Sequence, residues 1–404
     1  MNEKETLSTI INNQLSSSFK NTKIPQIDDK SSIYYIKEEI KHDKILEPLE
    51  EYKSQVIPLE KELFQCLNLK WGEDIITEDM PLIDNGINNY YIHFFRTAKP
   101  NPNKENFFFI HGFLSSGLTF IFLIPYLIKR YNIFIPDIIG MGLSSRPQIK
   151  FTSARQCEDY FINIFHLVIK NIFFKGKYNI KEEFYLCGHS LGGLFASRYM
   201  LKYPKGIKKV LLLSPAGITD YRIPGTNINR DNSFALNCFF ICFTNLCCWP
   251  CRLRIQNLYN CCCCHNFIKK QYGTYIFNIY EDEIRKNPDG SNFKVDKEKI
   301  SLLLRKLAEL SLDYPDDLNE CIYYLLAVPP PGAYLPIEKQ LMENNRIQII
   351  FVYGEKDLID KIGAYRLQSY NKDIYKVFTI MHEGHFLPLH NPKEVCVIIG
   401  QFFE

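Results

Sequence analysis

Six short apolar runs recur beyond residue 100, and each stops at turn-forming residues. They are FFFIHG (107–112), IFIPDIIG (133–140), FYLCGHS (184–190), VLLLSPAG (210–217), IQIIFVYGEKD (347–357) and KVFTIMHEGH (376–385). Stretches of helical length lie between most of them, such as SARQCEDYFINIFHLVIKNIF (153–173) and LGGLFASRYMLKYP (191–204). Continuous apolar runs alternating with helices predict an α/β fold, a mainly parallel sheet covered by helices on both faces. Upstream, PLIDNGINNYYIHFF reads as two strands around an Asp84-Asn85-Gly86 turn.

The alternation breaks between Gly217 and about Asn345, where no comparable strand is expected. An insertion above the strand ends is the natural reading, and ligands bind at those ends in open α/β sheets. The expected organisation is a poorly packed N-terminal extension over 1–60, holding one or two helices. The core follows over 61–220, then a lid or cap over 221–345, and the rest of the core over 346–404.

Composition changes this picture little. The 404 residues carry a formal charge of +3 and 46% hydrophobic residues, enough for a large core. So small a charge gives no reason to expect a nucleic-acid partner. The start, MNEKETLSTI, has no apolar signal core, so the expected setting is intracellular, either cytoplasmic or peripheral to a membrane. Residues 107–128 are long and uncharged enough to imitate a membrane span. However, His111, Gly112, Ser115, Ser116 and Gly117 suit a strand, turn and helix better.

The candidate chemistry centres on YLCGHSLGG (185–193), a G-x-S-x-G between a strand and a helix. Ser190 is the expected nucleophile, because the sharp turn that exposes its hydroxyl needs small neighbours, supplied by Gly188 and Gly192. A serine hydroxyl is a weak nucleophile until a base takes its proton and a carboxylate orients that base. On this elbow the chain order is serine, acid, histidine. Asp357, after the fifth run, is the expected acid, with Asp360 as the second choice. HEGHFLPLH (382–390) offers three histidines. His385 is the expected base because Gly384 frees the backbone to turn before it. His382 reads as packed or solvent-facing. His390 precedes Asn391 and Pro392, which can cap and open a last helix. Zinc held by the three would lack further ligands and a supporting shell. Oxyanion donors are expected from the backbone N–H groups of Leu191 and Phe113. No cofactor and no metal is expected.

Residues 107–218 and 347 to the end resemble the α/β-hydrolase superfamily. DIIGMGLSSRP (137–147), GHSLGGLFASRYMLKYP (188–204), LLLSPAGI (211–218) and GHFLPLHNP (384–392) narrow the resemblance to one branch. It contains cardiolipin deacylases, N-acylphosphatidylethanolamine lyso-lipases and the lipid-droplet lipase co-activator. PPPGAYLPIEKQL (329–341) looks like the segment where that branch's insertion returns to the core.

The resemblance implies a serine hydrolase that releases fatty acid from a phospholipid or lysophospholipid, at a peripheral membrane or lipid-droplet surface. The alternatives are a lysophospholipid acyltransferase or a non-catalytic lipase regulator. Members acting only as co-activators replace the nucleophile, whereas Ser190 is intact. The H-x-x-x-x-D motif linked to acyltransferase activity ends here in His390 instead of aspartate.

Nine of the 14 cysteines fall between Cys238 and Cys264, beside Phe234, Phe239, Phe240, Phe243 and Trp249. Basic residues follow, so the segment suits either an interfacial patch on lipid or a packed lid. Its thiols read as acylated or packed ahead of zinc-binding.

Overall fold

The computed structural model describes residues 49–82, 90–147, 149–223, 284–286, 292–313, 321–326, 333–344 and 346–403. Every apolar run becomes a strand of one eight-stranded sheet. Its members are β1 (Ile75–Pro81), β2 (Tyr91–Thr97), β3 (Glu105–Ile110), β4 (Tyr131–Pro136), β5 (Phe184–His189), β6 (Ile207–Leu213), β9 (Gln348–Gly354) and β10 (Tyr375–Ile380). Two further strands, β7 (Ile284–Lys286) and β8 (Asn292–Lys294), pair antiparallel within the insertion.

The sheet order is β1-β2-β4-β3-β5-β6-β9-β10, with β1 and β2 antiparallel and the other six mutually parallel. All residues of β4 and β5 are buried, the polar Asn132 and His189 included, as expected of strands covered on both faces. The chain leaves β3 for β4 on one side and later returns to β5 on the other. That reversal opens the crevice at the carboxyl ends of β3 and β5.

The expected hairpin arms are β1 and β2, paired from Ile75↔Thr97 to Pro81↔Tyr91. The Asp84-Asn85-Gly86 tip lies outside the described residues. Residues 107–128 divide into the end of β3, a 3₁₀ turn at Gly117–Phe120 and a short helix at Ile124–Leu127. No helix among the described residues is long and apolar enough to cross a membrane.

Helix α1 (Leu49–Cys66) departs from the expectation of a poorly packed extension over 1–60. Its Tyr52, Val56, Leu63 and Phe64 are buried in the main core cluster. The Phe64 ring lies 5.4 Å from that of Phe95 and 5.7 Å from that of Trp71. Positions 52, 56, 60 and 63 form one face, but position 60 is a glutamate, only 2% exposed, which hides the stripe in the sequence. Burial drives the Glu60 carboxyl well above its usual pKa, and the charges of Asp137 and Asp79 push the same way.

Helices α2 (Ala154–Ile169) and α3 (Leu191–Lys202) follow the expected helical stretches. Ser153 caps α2 by accepting the Gln156 N–H at 3.2 Å. Helix α4 (Lys297–Asp313) belongs to the insertion, yet Ile300, Leu303, Leu304 and Leu307 join the same cluster as α1. The insertion is therefore not wholly a lid. Helices α5 (Glu338–Met342), α6 (Ile362–Tyr370) and α7 (Pro392–Phe403) complete the second half. Pro392 opens α7, and Asn391 Oδ1 accepts the Glu394 N–H at 3.2 Å. The cysteine-rich 238–264 stretch and its aromatic residues lie outside the described residues.

Candidate active site

Ser190 sits alone between β5 and α3 at φ 55° and ψ −120°. A non-glycine residue held there costs on the order of 1–3 kcal/mol, so its surroundings must over-determine it. Its N–H donates to Leu213 O at 3.0 Å, and its carbonyl accepts the N–H groups of Ala216 and Gly193, each at 2.9 Å. The glycines answer to contact distances. A Cβ on Gly188 would lie 2.3 Å from Gly192 O, and one on Gly192 would lie 2.1 Å from Ile110 O.

The three residues expected to work together are adjacent. His385 Nε2 is 2.9 Å from Ser190 Oγ, and His385 Nδ1 is 2.9 Å from Asp357 Oδ1. An ionised carboxylate only accepts, so Nδ1 carries the proton and the Nε2 lone pair faces the serine hydroxyl. Burial works to raise the Asp357 pKa. The His385 charge and hydrogen bonds from His385, the Ile359 N–H and the Ser214 hydroxyl outweigh it and hold the carboxyl below its ordinary value.

Asp360 turns elsewhere, accepting from the Ile362 N–H at 2.5 Å and the Thr219 hydroxyl at 3.4 Å. Burial pushes its carboxyl above the ordinary carboxylate pKa.

The three histidines separate clearly. The His382 side chain is 82% exposed, beside Glu355. His390 ends the short helix Leu387–His390, with its ring 6.0 Å from that of Phe386. The expected role of Gly384 needs correction. The left-handed residue of this turn is His382, at φ 66°, and a Cβ on Gly384 would meet nothing closer than 4.0 Å. The glycine that the close packing demands is Gly354, where a Cβ would fall 2.3 Å from Gly384 O.

The two expected oxyanion donors flank the serine. Leu191 is the first residue of α3, so its N–H has no intrahelical partner. Phe113 follows Gly112, where a Cβ would sit 3.0 Å from Ser190 Cβ. His111 holds this turn. Its Nδ1–H donates to Gly112 O at 2.8 Å, while Nε2 accepts the Ile138 N–H at 2.9 Å. Burial keeps it neutral by lowering its pKa.

Asp137 braces the far side, accepting from the N–H groups of Gly117 at 2.7 Å and Leu143 at 2.8 Å. Ser144 and Ser145, from the Gly-rich loop, accept the N–H groups of His93 and Tyr91 on β2, both at 2.9 Å. That loop is a structural brace for the crevice.

Sequence reasoning missed two contacts. His189 donates its Nε2–H to His385 O at 2.9 Å, and Ser214 donates its hydroxyl to Asp357 Oδ2. Burial, then the neighbouring His385, pushes the His189 pKa down to about 3. The only signal in the sequence was a polar residue closing each apolar run, at FYLCGH and VLLLS.

A serine at the sheet's crossover point, reached by a histidine from the loop after the last strand, is the arrangement of the α/β hydrolases. Comparison with known proteins agrees. The alpha/beta hydrolase fold family matches residues 105–236. The solved carboxylesterase CesB from Bacillus subtilis superposes with a TM-score of 0.54, over 87% of this chain and 98% of its own, at 14% identity. That likeness is one of fold.

The chain belongs to the α/β-hydrolase superfamily, among relatives named for lipid chemistry. A "Probable 1-acylglycerol-3-phosphate O-acyltransferase" of Oryza sativa subsp. japonica is 30% identical over 309 residues, which are 74% of this chain and 66% of that protein. A "(Lyso)-N-acylphosphatidylethanolamine lipase" of Homo sapiens is 29% identical over 122 residues, 30% of this chain and 33% of that protein.

Proposed function

We propose that the protein is a serine hydrolase that releases fatty acid from a phospholipid or lysophospholipid. The observation that carries this reading is the unbroken relay Ser190 Oγ–His385–Asp357, with both hydrogen bonds at 2.9 Å.

His385 Nε2 takes the serine proton as Oγ attacks the ester carbonyl. Asp357 holds the imidazole in the Nδ1–H tautomer and stabilises its charged form. The N–H groups of Phe113 and Leu191 donate to the oxyanion as charge develops there. The imidazolium then protonates the departing alcohol, which leaves an acyl-enzyme on Ser190. Water attacks the acyl carbon, His385 accepts its proton, and the fatty acid departs with the serine hydroxyl restored. The names of the relatives support a lipid as the acyl donor, and such a substrate implies work at a membrane or lipid-droplet surface.

A second reading draws support from the rice relative's name. A lysolipid hydroxyl would replace water in the second half-reaction, giving an acyltransferase. The same relay would serve both, so the acceptor decides. Histidine at position 390, where the acyltransferase-linked motif has aspartate, favours water.

The test is product analysis with an acyl-labelled phospholipid, with and without lysophosphatidate. Free fatty acid should dominate in both. Labelled phosphatidate exceeding free fatty acid would overturn the hydrolase in favour of the transferase. No product of either kind would favour a non-catalytic lipase regulator.

A further inference from the structure

The loop leaving β6 touches both ends of the relay. Leu213 O accepts the Ser190 N–H at 3.0 Å, and the Ala216 N–H donates to Ser190 O at 2.9 Å. Between them lies Ser214, fully buried, with its hydroxyl donating to Asp357 Oδ2. Its own N–H bonds to Val352 O on β9 at 2.8 Å, and its φ is +47°. Glycine would adopt that backbone without penalty, so a serine there points to a use for the hydroxyl.

We propose that Ser214 is a positioning residue of the reaction. Its hydroxyl fixes the rotation of the Asp357 carboxylate so that Oδ1 stays on His385 Nδ1, acting from the same loop that clamps the Ser190 peptide. This rests on the hydrolase reading above.

The two carboxylate oxygens are supported differently. Oδ1 has the His385 Nδ1–H and the Ile359 N–H, each at 2.9 Å, whereas the Ser214 hydroxyl is the donor on Oδ2. The other titratable groups acting on this carboxylate are His189 on β5 and Tyr353 on β9. His189 spends its Nε2–H on His385 O, and the Tyr353 hydroxyl has no hydrogen-bond partner among the described residues. Without the Ser214 hydroxyl, a buried oxygen loses its donor, which is costly for a charged group. The carboxylate is then free to turn, and its charge shifts toward Oδ1. Turning misaligns part of the His385 population and lowers kcat. Charge on Oδ1 favours the imidazolium, so the acid limb of kcat/KM moves to higher pH.

The test is kinetics against pH on a short soluble ester, for wild type and the variants Ser214→Ala, Ser214→Gly and Ser214→Thr. Alanine and glycine should each lose kcat by roughly 10- to 100-fold, with KM little changed and the limb raised. Threonine keeps the hydroxyl and should restore the limb, even where its branched side chain lowers the melting temperature. Glycine with wild-type kinetics would mean that only the backbone matters, and would overturn the proposal. Equal losses in all three variants with no limb shift would reduce Ser214 to packing and overturn it as well. A wild type with no turnover and no fluorophosphonate adduct at Ser190 defeats the hydrolase reading and this proposal together. An active wild type whose Ser214 variants keep its profile defeats this proposal alone.

Discussion

Two aspartates three residues apart offer a sharp contrast at the scale of single residues. Asp357 bonds His385, while Asp360 bonds Thr219 and the Ile362 backbone. Asp357→Asn should lower kcat on the order of 10⁴-fold, because only the residue on Nδ1 fixes the imidazole tautomer. Asp360→Asn should cost far less, and the reverse ranking would move the acid to Asp360. His189 supplies a pH test. Its folded pKa of about 3 lies below its ordinary 6.5, so between those values the unfolded chain binds more protons. Its contribution to stability is full above 6.5 and falls away as the pH drops toward 3. His111, also buried and neutral, acts in the same direction. Melting temperature should therefore fall with acidity across that window. His189→Gln retains a donor for His385 O but cannot protonate, so it should flatten the slope; an unchanged slope contradicts this account. Ser190 and His385 were legible in the sequence because an elbow and a strand end are local features. Ser214 and His189 were not, since their bonds span 143 and 196 residues of chain and exist only once the sheet has assembled.

At the scale of elements, the six parallel strands were legible because each carries a short apolar run that stops at turn-forming residues, even where Asn106, Asn132 or Lys376 interrupts the strand. Helix α1 was obscured by Glu60, a carboxyl in the middle of its apolar stripe. Its attachment to the core is testable through Phe64, fully buried against Phe95 and Trp71. Phe64→Ala should destabilise the protein by about 3–5 kcal/mol in denaturant melts. Activity per folded molecule should survive at low temperature, because α1 supplies none of the relay. A loss below about 1 kcal/mol would mean that α1 is as loosely held as its sequence suggested. The misread turn at 382–385 has a related cause. Gly384 drew attention as the flexible residue, but close packing falls on Gly354 at the end of the neighbouring strand β9, and no local pattern reveals that contact.

Across the whole molecule, sheet order converts three distant stretches into one site. The strands β5, β9 and β10 lie within four neighbouring positions of the sheet, and Ser190, Asp357 and His385 come one, three and five residues after their ends. The described segments on either side of the insertion are tied to the core. The Ile337 N–H donates to Gly217 O at 3.1 Å, and Glu338 accepts the Asp220 N–H at 2.8 Å while pairing with Arg366 on α6. Arg198 on α3, paired with Glu158 at 3.0 Å, also holds Leu335 O. The break in strand spacing gave no sign that α4 would pack with α1, because that face has meaning only beside its partner. The central claim is that Ser190 is the nucleophile of this assembled relay. It is tested most directly by mapping a fluorophosphonate adduct by mass spectrometry. Wild-type protein should take up one equivalent on the peptide containing Ser190, Ser190→Ala should take up none, and His385→Ala should label far more slowly. An adduct on any other residue, or equal labelling of the Ser190→Ala variant, would contradict it.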